Sequence, residues 1–199
     1  MSGPARGEEC LADIPVTRLL LTCSRPDLLT NLGVRAANTF TAAQVPNYAP
    51  HFIIGNFLLS YIISSTRFPK VAAGIDNNIS PRGDLGERGE RAVKEGKLSQ
   101  ERLEQLRRLQ GAHSNNIEHF PFLVGALAMA VQGGVDTQTI NKYGLIYTII
   151  RAVYTLVYYH NTTPTAARTR SVLFWASNIT CIRLLWFAGK AFNVAKNVV

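Results

Sequence analysis

Tyr143-Gly-Leu-Ile-Tyr-Thr-Ile-Ile-Arg-Ala-Val-Tyr-Thr-Leu-Val-Tyr-Tyr-His160 is an apolar stretch with a single arginine near its middle. An ionisable group at bilayer depth is costly, and where it persists it marks a function or a partner. At helical spacing Tyr154 and Tyr158 fall on the face of Arg151, three and seven residues on. The stretch therefore reads as a helix that is apolar except for one polar stripe, and it does not alternate as a barrel strand would.

Three more apolar blocks flank it, at about Ala49 to Phe68, Ile117 to Val135 and Ser171 to Gly189. Each of the four approaches the ~20 residues a helix needs to cross ~30 Å of hydrocarbon. The expected architecture is all-α, an integral membrane bundle with spans at about 49–68, 117–135, 143–160 and 171–189. The second block is short alone, but its helical pattern runs back through Gln100-Glu-Arg-Leu-Glu-Gln-Leu-Arg-Arg-Leu-Gln-Gly-Ala-His, so that helix is expected to begin in water. Pro69 to Gly96 is rich in turn formers and then charged, which predicts a loop with one short helix.

The net charge of +8 is distributed as membrane topology rather than as a nucleic-acid footprint. Arg67, Lys70, Arg82, Arg88, Arg91, Lys94, Lys97, Arg102, Arg107 and Arg108 lie between the first and second blocks, whereas Gln132 to Asn141 contains no Lys or Arg. The positive-inside rule places the first loop and the loop Thr162 to Thr169 in the cytosol, with both termini opposite. No nucleic-acid partner is expected. Cys10, Cys23 and Cys181 have no metal-binding spacing, and His113 and His119 lack further ligands, so no metal is expected either. Leu19 to Thr22 is too short for a signal-peptide core, and Glu8, Glu9 and Asp13 argue against a mitochondrial presequence.

A polar constellation gathers towards one leaflet. In Ala112-His-Ser-Asn-Asn-Ile-Glu-His-Phe-Pro-Phe122, Asn115 and Glu118 share a helix face, and Arg108 lies nearly on it two turns lower. Arg170 and Ser171 are expected to open the fourth helix on the cytoplasmic side. A channel would carry polar residues through its full depth, and these cluster at one end.

These residues resemble the MAPEG superfamily, membrane-associated proteins in eicosanoid and glutathione metabolism that include the microsomal glutathione transferases. Ala112, Asn115, Glu118 and Pro121 match the second-helix motif Arg-Ala-x-x-Asn-x-x-Glu followed by Pro, while Arg151, Tyr158, Arg170 and Ser171 match Arg-x-x-x-x-x-x-Tyr, a loop, and Arg-Ser. Arg67 is similar to the family's basic exit from its first helix. The resemblance covers roughly 48–190, leaving 1–47 as an extension of unread role and 191–199 as a tail. The family's arginine before Ala is Gly111 here, with Arg108 one turn earlier.

The resemblance implies a left-handed four-helix transmembrane bundle, a homotrimer in the endoplasmic reticulum or another intracellular membrane, with ligand sites between adjacent subunits. It implies glutathione as cosubstrate and a hydrophobic small molecule arriving from the lipid bilayer as acceptor, in a transferase or peroxidase reaction. Arg67, Arg108, Asn115, Glu118, Arg151, Tyr154 and Tyr158 are the expected glutathione contacts, and Arg170 and Ser171 the catalytic pair acting on the thiol. The alternative is a non-catalytic lipid-binding or scaffold protein of the same fold.

Overall fold

Short polar caps start each long helix of the computed structural model, which describes residues 45–160 and 162–196. The extension expected over 1–47 lies almost wholly outside those residues. Helix α1 is Ala49–Leu58, with Pro50 in its first turn, and continues as a π-turn over Leu59–Ile63. Two short helices follow, α2 at Arg67–Ala72 and α3 at Gly89–Lys94. Helix α4 is Gln100–Gln132, capped by Ser99, whose Oγ accepts from the Arg102 amide at 3.2 Å. Helix α5 is Thr137–His160, where an Asp136 carboxylate oxygen accepts from the Thr139 amide at 3.1 Å. Helix α6 is Pro164–Lys196; Pro164 fits a first-turn position, and the Thr163 hydroxyl accepts from the Ala166 amide at 3.3 Å.

Helices α4, α5 and α6 pack on one another, and α1 lies against α4 and α5. The core joins Leu123, Ala126, Leu127 and Ala130 of α4 with Ile140 and Tyr147 of α5, and Cys181, Leu184 and Ala188 of α6. Gly144 admits the Phe52 ring so closely that a side chain there would collide with it. Asn141 ties the entry of α1 to α5, accepting from the Tyr48 amide and donating to the Pro46 carbonyl, each at 2.9 Å.

Over the other end sits a small polar dome with its own core of Ile75, Ala92 and Leu106. Buried Lys70 reaches buried Asp84 at 2.9 Å, and Arg88 meets the same carboxylate at 2.9 Å. Arg107 bonds Glu90 at 3.0 Å and Glu104 at 2.7 Å; these carboxylates, Glu90 foremost, hold the guanidinium's pKa above its ordinary value.

Among the described residues there is no strand. The all-helical expectation holds, and the second block's helix begins at Gln100 as its pattern implies. Other boundaries differ. The first block does not stay helical to Phe68, because the chain turns at Ser64 to Thr66, where the Ser64 hydroxyl donates to the Ser60 carbonyl at 2.8 Å. The last helix starts at Pro164 rather than at Arg170 and runs on through 191–196, part of the expected tail. One helical segment among the described residues, Pro164–Val194, is long and apolar enough by itself to cross a membrane. The first helix is too short for that, the polar half of α4 shortens its apolar run, and Lys142, Arg151 and the tyrosines dilute α5.

Candidate functional site

The stripe read from Arg151 becomes a ladder of cations and rings. The Arg151 guanidinium lies 4.8 Å from the Tyr154 ring centroid. Tyr154 meets Tyr158 edge-on at 5.6 Å, and the Arg170 guanidinium lies 4.4 Å from the centroid of Tyr158. Helix α5 supplies the first three rungs at spacings of three and four residues, and the second turn of α6 supplies the last. Such cation–ring contacts lie within the ~6 Å at which the ring quadrupole attracts a cation.

Beside the ladder opens a hollow of about 220 Å³ lined by Asn115, Tyr154, Tyr158, Arg170, Ser171, Phe174 and Trp175. Arg170 makes no hydrogen bond or ion pair with any described residue, so the ring holds its guanidinium while its N–H donors stay uncommitted. Arg151 lies beneath the hollow at 2% exposure. One of its terminal nitrogens, Nη2, donates to the Asn115 carbonyl at 2.6 Å, and Nη1 has no partner among the described residues. A buried cation with an unspent donor and no carboxylate beside it is costly unless an anion or dipole is supplied.

Of the expected site residues, Asn115, Tyr154, Tyr158, Arg170 and Ser171 line this hollow, and Arg151 supports it from below. The others lie elsewhere in the chain. Glu118 is exposed and has no partner among the described residues, so the Arg151–Glu118 pair that intramembrane charges commonly form is not made. Arg108 does not line the hollow, and its Nε is buried without a partner among the described residues. Arg67 donates to the Asn78 side chain at 2.7 Å and borders a second hollow of about 360 Å³, with Lys70, Asp76, Arg82, Gln110 and His113.

One expectation changes. Ser171 was expected at a helix start, where backbone dipoles and a free hydroxyl would both favour an anion. It lies inside α6 because Thr163 and Pro164 begin that helix earlier, and its hydroxyl donates to the Ala167 carbonyl at 3.2 Å. At Gly111, where the family motif has arginine, a Cβ would lie 2.6 Å from the Tyr158 hydroxyl.

The sequence reading missed Phe174 and Trp175, which complete the hollow's wall. Their spacing of three and four from Ser171 places them on the same helix face and was the available signal. It also missed a buried chain in which His119 Nδ1 lies 2.9 Å from the Tyr147 hydroxyl and His119 Nε2 lies 3.1 Å from Asn178 Oδ1. With Asn116 donating to Thr155 at 2.9 Å, these bonds lock α4 to α5 and α6 at the level of the ladder. Among the described residues no group of three or more His, Cys, Asp or Glu converges on a point where a metal could sit.

In this all-helical bundle the basic, ring-lined hollow gathers Asn115, Tyr158, Arg170 and Ser171 from the two sequence motifs. The chain belongs to the MAPEG family, whose model matches residues 48–190. Membership makes it a membrane protein of the family that serves glutathione and eicosanoid metabolism. Neither the curated proteins nor the solved structures contain a chain that it matches significantly.

Proposed function

We propose that this protein is a multi-pass enzyme of an intracellular membrane such as the endoplasmic reticulum, transferring glutathione to hydrophobic electrophiles or reducing hydroperoxides with it. The observation that carries this reading is the uncommitted guanidinium of Arg170, held on Tyr158 beside a hollow lined by Asn115, whose carbonyl accepts from a second, incompletely satisfied cation, Arg151. Two cations without carboxylate partners suit an anionic ligand.

Catalysis needs the thiolate, because a free thiol titrates near ~8.5 and its neutral form is a poor nucleophile. Arg170 stays protonated at all relevant pH, and each unit by which it lowers the bound thiol's pKa corresponds to about 1.4 kcal/mol of anion stabilisation. In transfer the sulfur forms a bond to the acceptor carbon as that carbon's bond to its leaving group or ring oxygen breaks, and the proton released on ionisation neutralises the departing or opened anion; in peroxide reduction the thiolate attacks oxygen as the O–O bond breaks, giving the alcohol and a sulfenic acid that a second glutathione converts to the disulfide and water. Asn115, Tyr154 and Tyr158 contribute polar atoms to the hollow. Arg151 acts on the ligand's charge from beneath, while Ser171, its hydroxyl bonded within the helix, contributes only by rotating that bond away.

A hollow of about 220 Å³ is small for a tripeptide, since drug-sized ligands fill roughly 300–1,000 Å³. A homotrimer would complete it. In that assembly Arg67, with Gln110 and His113 around the second hollow, and Glu118 and Arg108 would reach ligand from an adjacent copy. The bilayer would deliver the acceptor to the exposed apolar face of α6 at Trp175. Equilibrium binding of glutathione to the detergent-solubilised protein tests the reading; saturable binding that Arg151 substitution weakens supports it, and no binding contradicts it. The scaffold reading has one observation in its favour, Gly111, which removes a cation from the family motif. It predicts tight lipid binding with no thiol chemistry.

A further inference from the structure

We infer that Gly111 is a positioning residue for Arg170, acting through Tyr158: the missing side chain sets where the phenol lies and thereby where the guanidinium is held. The inference rests on the reading of Arg170 as the thiolate's partner. A Cβ on Gly111 would lie 2.6 Å from the Tyr158 hydroxyl oxygen, 3.0 Å from Cζ and 3.2 Å from Cε1. Contacts that short do not persist, so something must yield.

The backbones of α4 and α5 are the stiff partners in this contact. Asn116 and Thr155 bond across them in the buried interior, and Arg151 bonds the Asn115 carbonyl. The Tyr158 ring is the soft partner, being the partly exposed end of a side chain. A side chain at 111 therefore moves the ring. Arg170 has no other bond among the described residues, so it follows the ring on which it rests. Asn115 is drawn in as well, since its Nδ2 donates to the Gly111 carbonyl at 3.0 Å. An arginine at this position, as in the family motif, and Tyr158 in its present place are mutually exclusive.

The effect falls on the site and not on the fold, because a partly exposed ring outside the buried core can shift at little cost to that core. Full-length protein with Gly111→Ala, Tyr158→Phe or both tests it, with glutathione and a dinitrohalobenzene as substrates. A second readout needs no activity: the rate at which phenylglyoxal modifies Arg170, followed by peptide mass spectrometry. Gly111→Ala is expected to lower kcat about tenfold or more, with a smaller change in KM for glutathione and an unchanged melting temperature, and to speed Arg170 modification severalfold. In the Tyr158→Phe background the added methyl should do less on both readouts, because the oxygen it strikes is gone; such non-additivity is the signature of direct coupling. Equal Arg170 modification rates in wild type and Gly111→Ala would overturn the inference, as would effects that add independently in the double variant. A wild type without turnover but with the modification difference intact contradicts the transferase reading and leaves the Gly111 placement standing.

Discussion

Arg151 is a buried cation whose removal should separate ligand affinity from fold stability. It lies under the hollow and carries a buried donor with no partner among the described residues. Replacing an incompletely satisfied buried ion with an apolar group of similar shape is often neutral or stabilising. Arg151→Met is therefore expected to leave the ligand-free melting temperature unchanged or raised, while glutathione affinity falls ten- to a hundredfold, the equivalent of about 1.5–3 kcal/mol for a charge-assisted bond. Calorimetric melting beside a binding isotherm checks both; a destabilised variant with wild-type affinity would make Arg151 purely structural. The ladder from Arg151 to Tyr158 was legible because all three residues ride one helix, where spacing alone fixes a face. Glu118 and Arg108 were misleading for the converse reason: a shared face says nothing about which neighbour that face meets, and in this chain Glu118 meets solvent-accessible space.

At the scale of elements, the long helices could be read from apolar blocks, but their ends depend on capping groups a few residues away. Thr163 and Pro164 moved the start of α6 and took Ser171 from a helix terminus into its interior. The polar dome was legible only as turn formers and charge, since the pairing of Lys70 with Asp84 spans fourteen residues without periodicity. That pair also sets a test of the dome's stability. Removing one partner from a buried pair leaves an uncompensated charge, costing about 3–5 kcal/mol. Asp84→Asn should therefore loosen residues 64–98, read as faster amide exchange or proteolysis there, with the bundle helices unaffected. Equal protection in the variant would show that the Pro81 carbonyl, to which Lys70 also donates at 3.3 Å, and solvent suffice for the ammonium. Ser99→Ala, which deletes the cap of α4, should cost about 1 kcal/mol of stability, visible as a shift in denaturant midpoint at constant slope.

For the whole molecule, the one helix among the described residues able to span a membrane by composition alone understates what a bundle can do, because polar faces buried against protein need not meet lipid. The arrangement proposed here puts the dome and the Arg170 end in the cytosol, following the basic residues of the first loop. A single cysteine substituted at Glu90 should react with an impermeant reagent from the cytosolic side, and one placed at exposed Val194 only from the opposite side; a lumenal Glu90 would invert this topology.

The central claim is that Arg170 stabilises a thiolate in the ring-lined hollow, and the ultraviolet difference spectrum of glutathione bound to the purified protein tests it most directly. Wild type is expected to show thiolate absorbance at neutral pH. Arg170→Leu is expected to lose that absorbance and about a hundredfold in turnover, as when one preorganised charge is removed from an anion site, while retaining most of its glutathione affinity. Thiolate absorbance that survives in Arg170→Leu, or a wild type that binds glutathione without ionising it, would contradict the account.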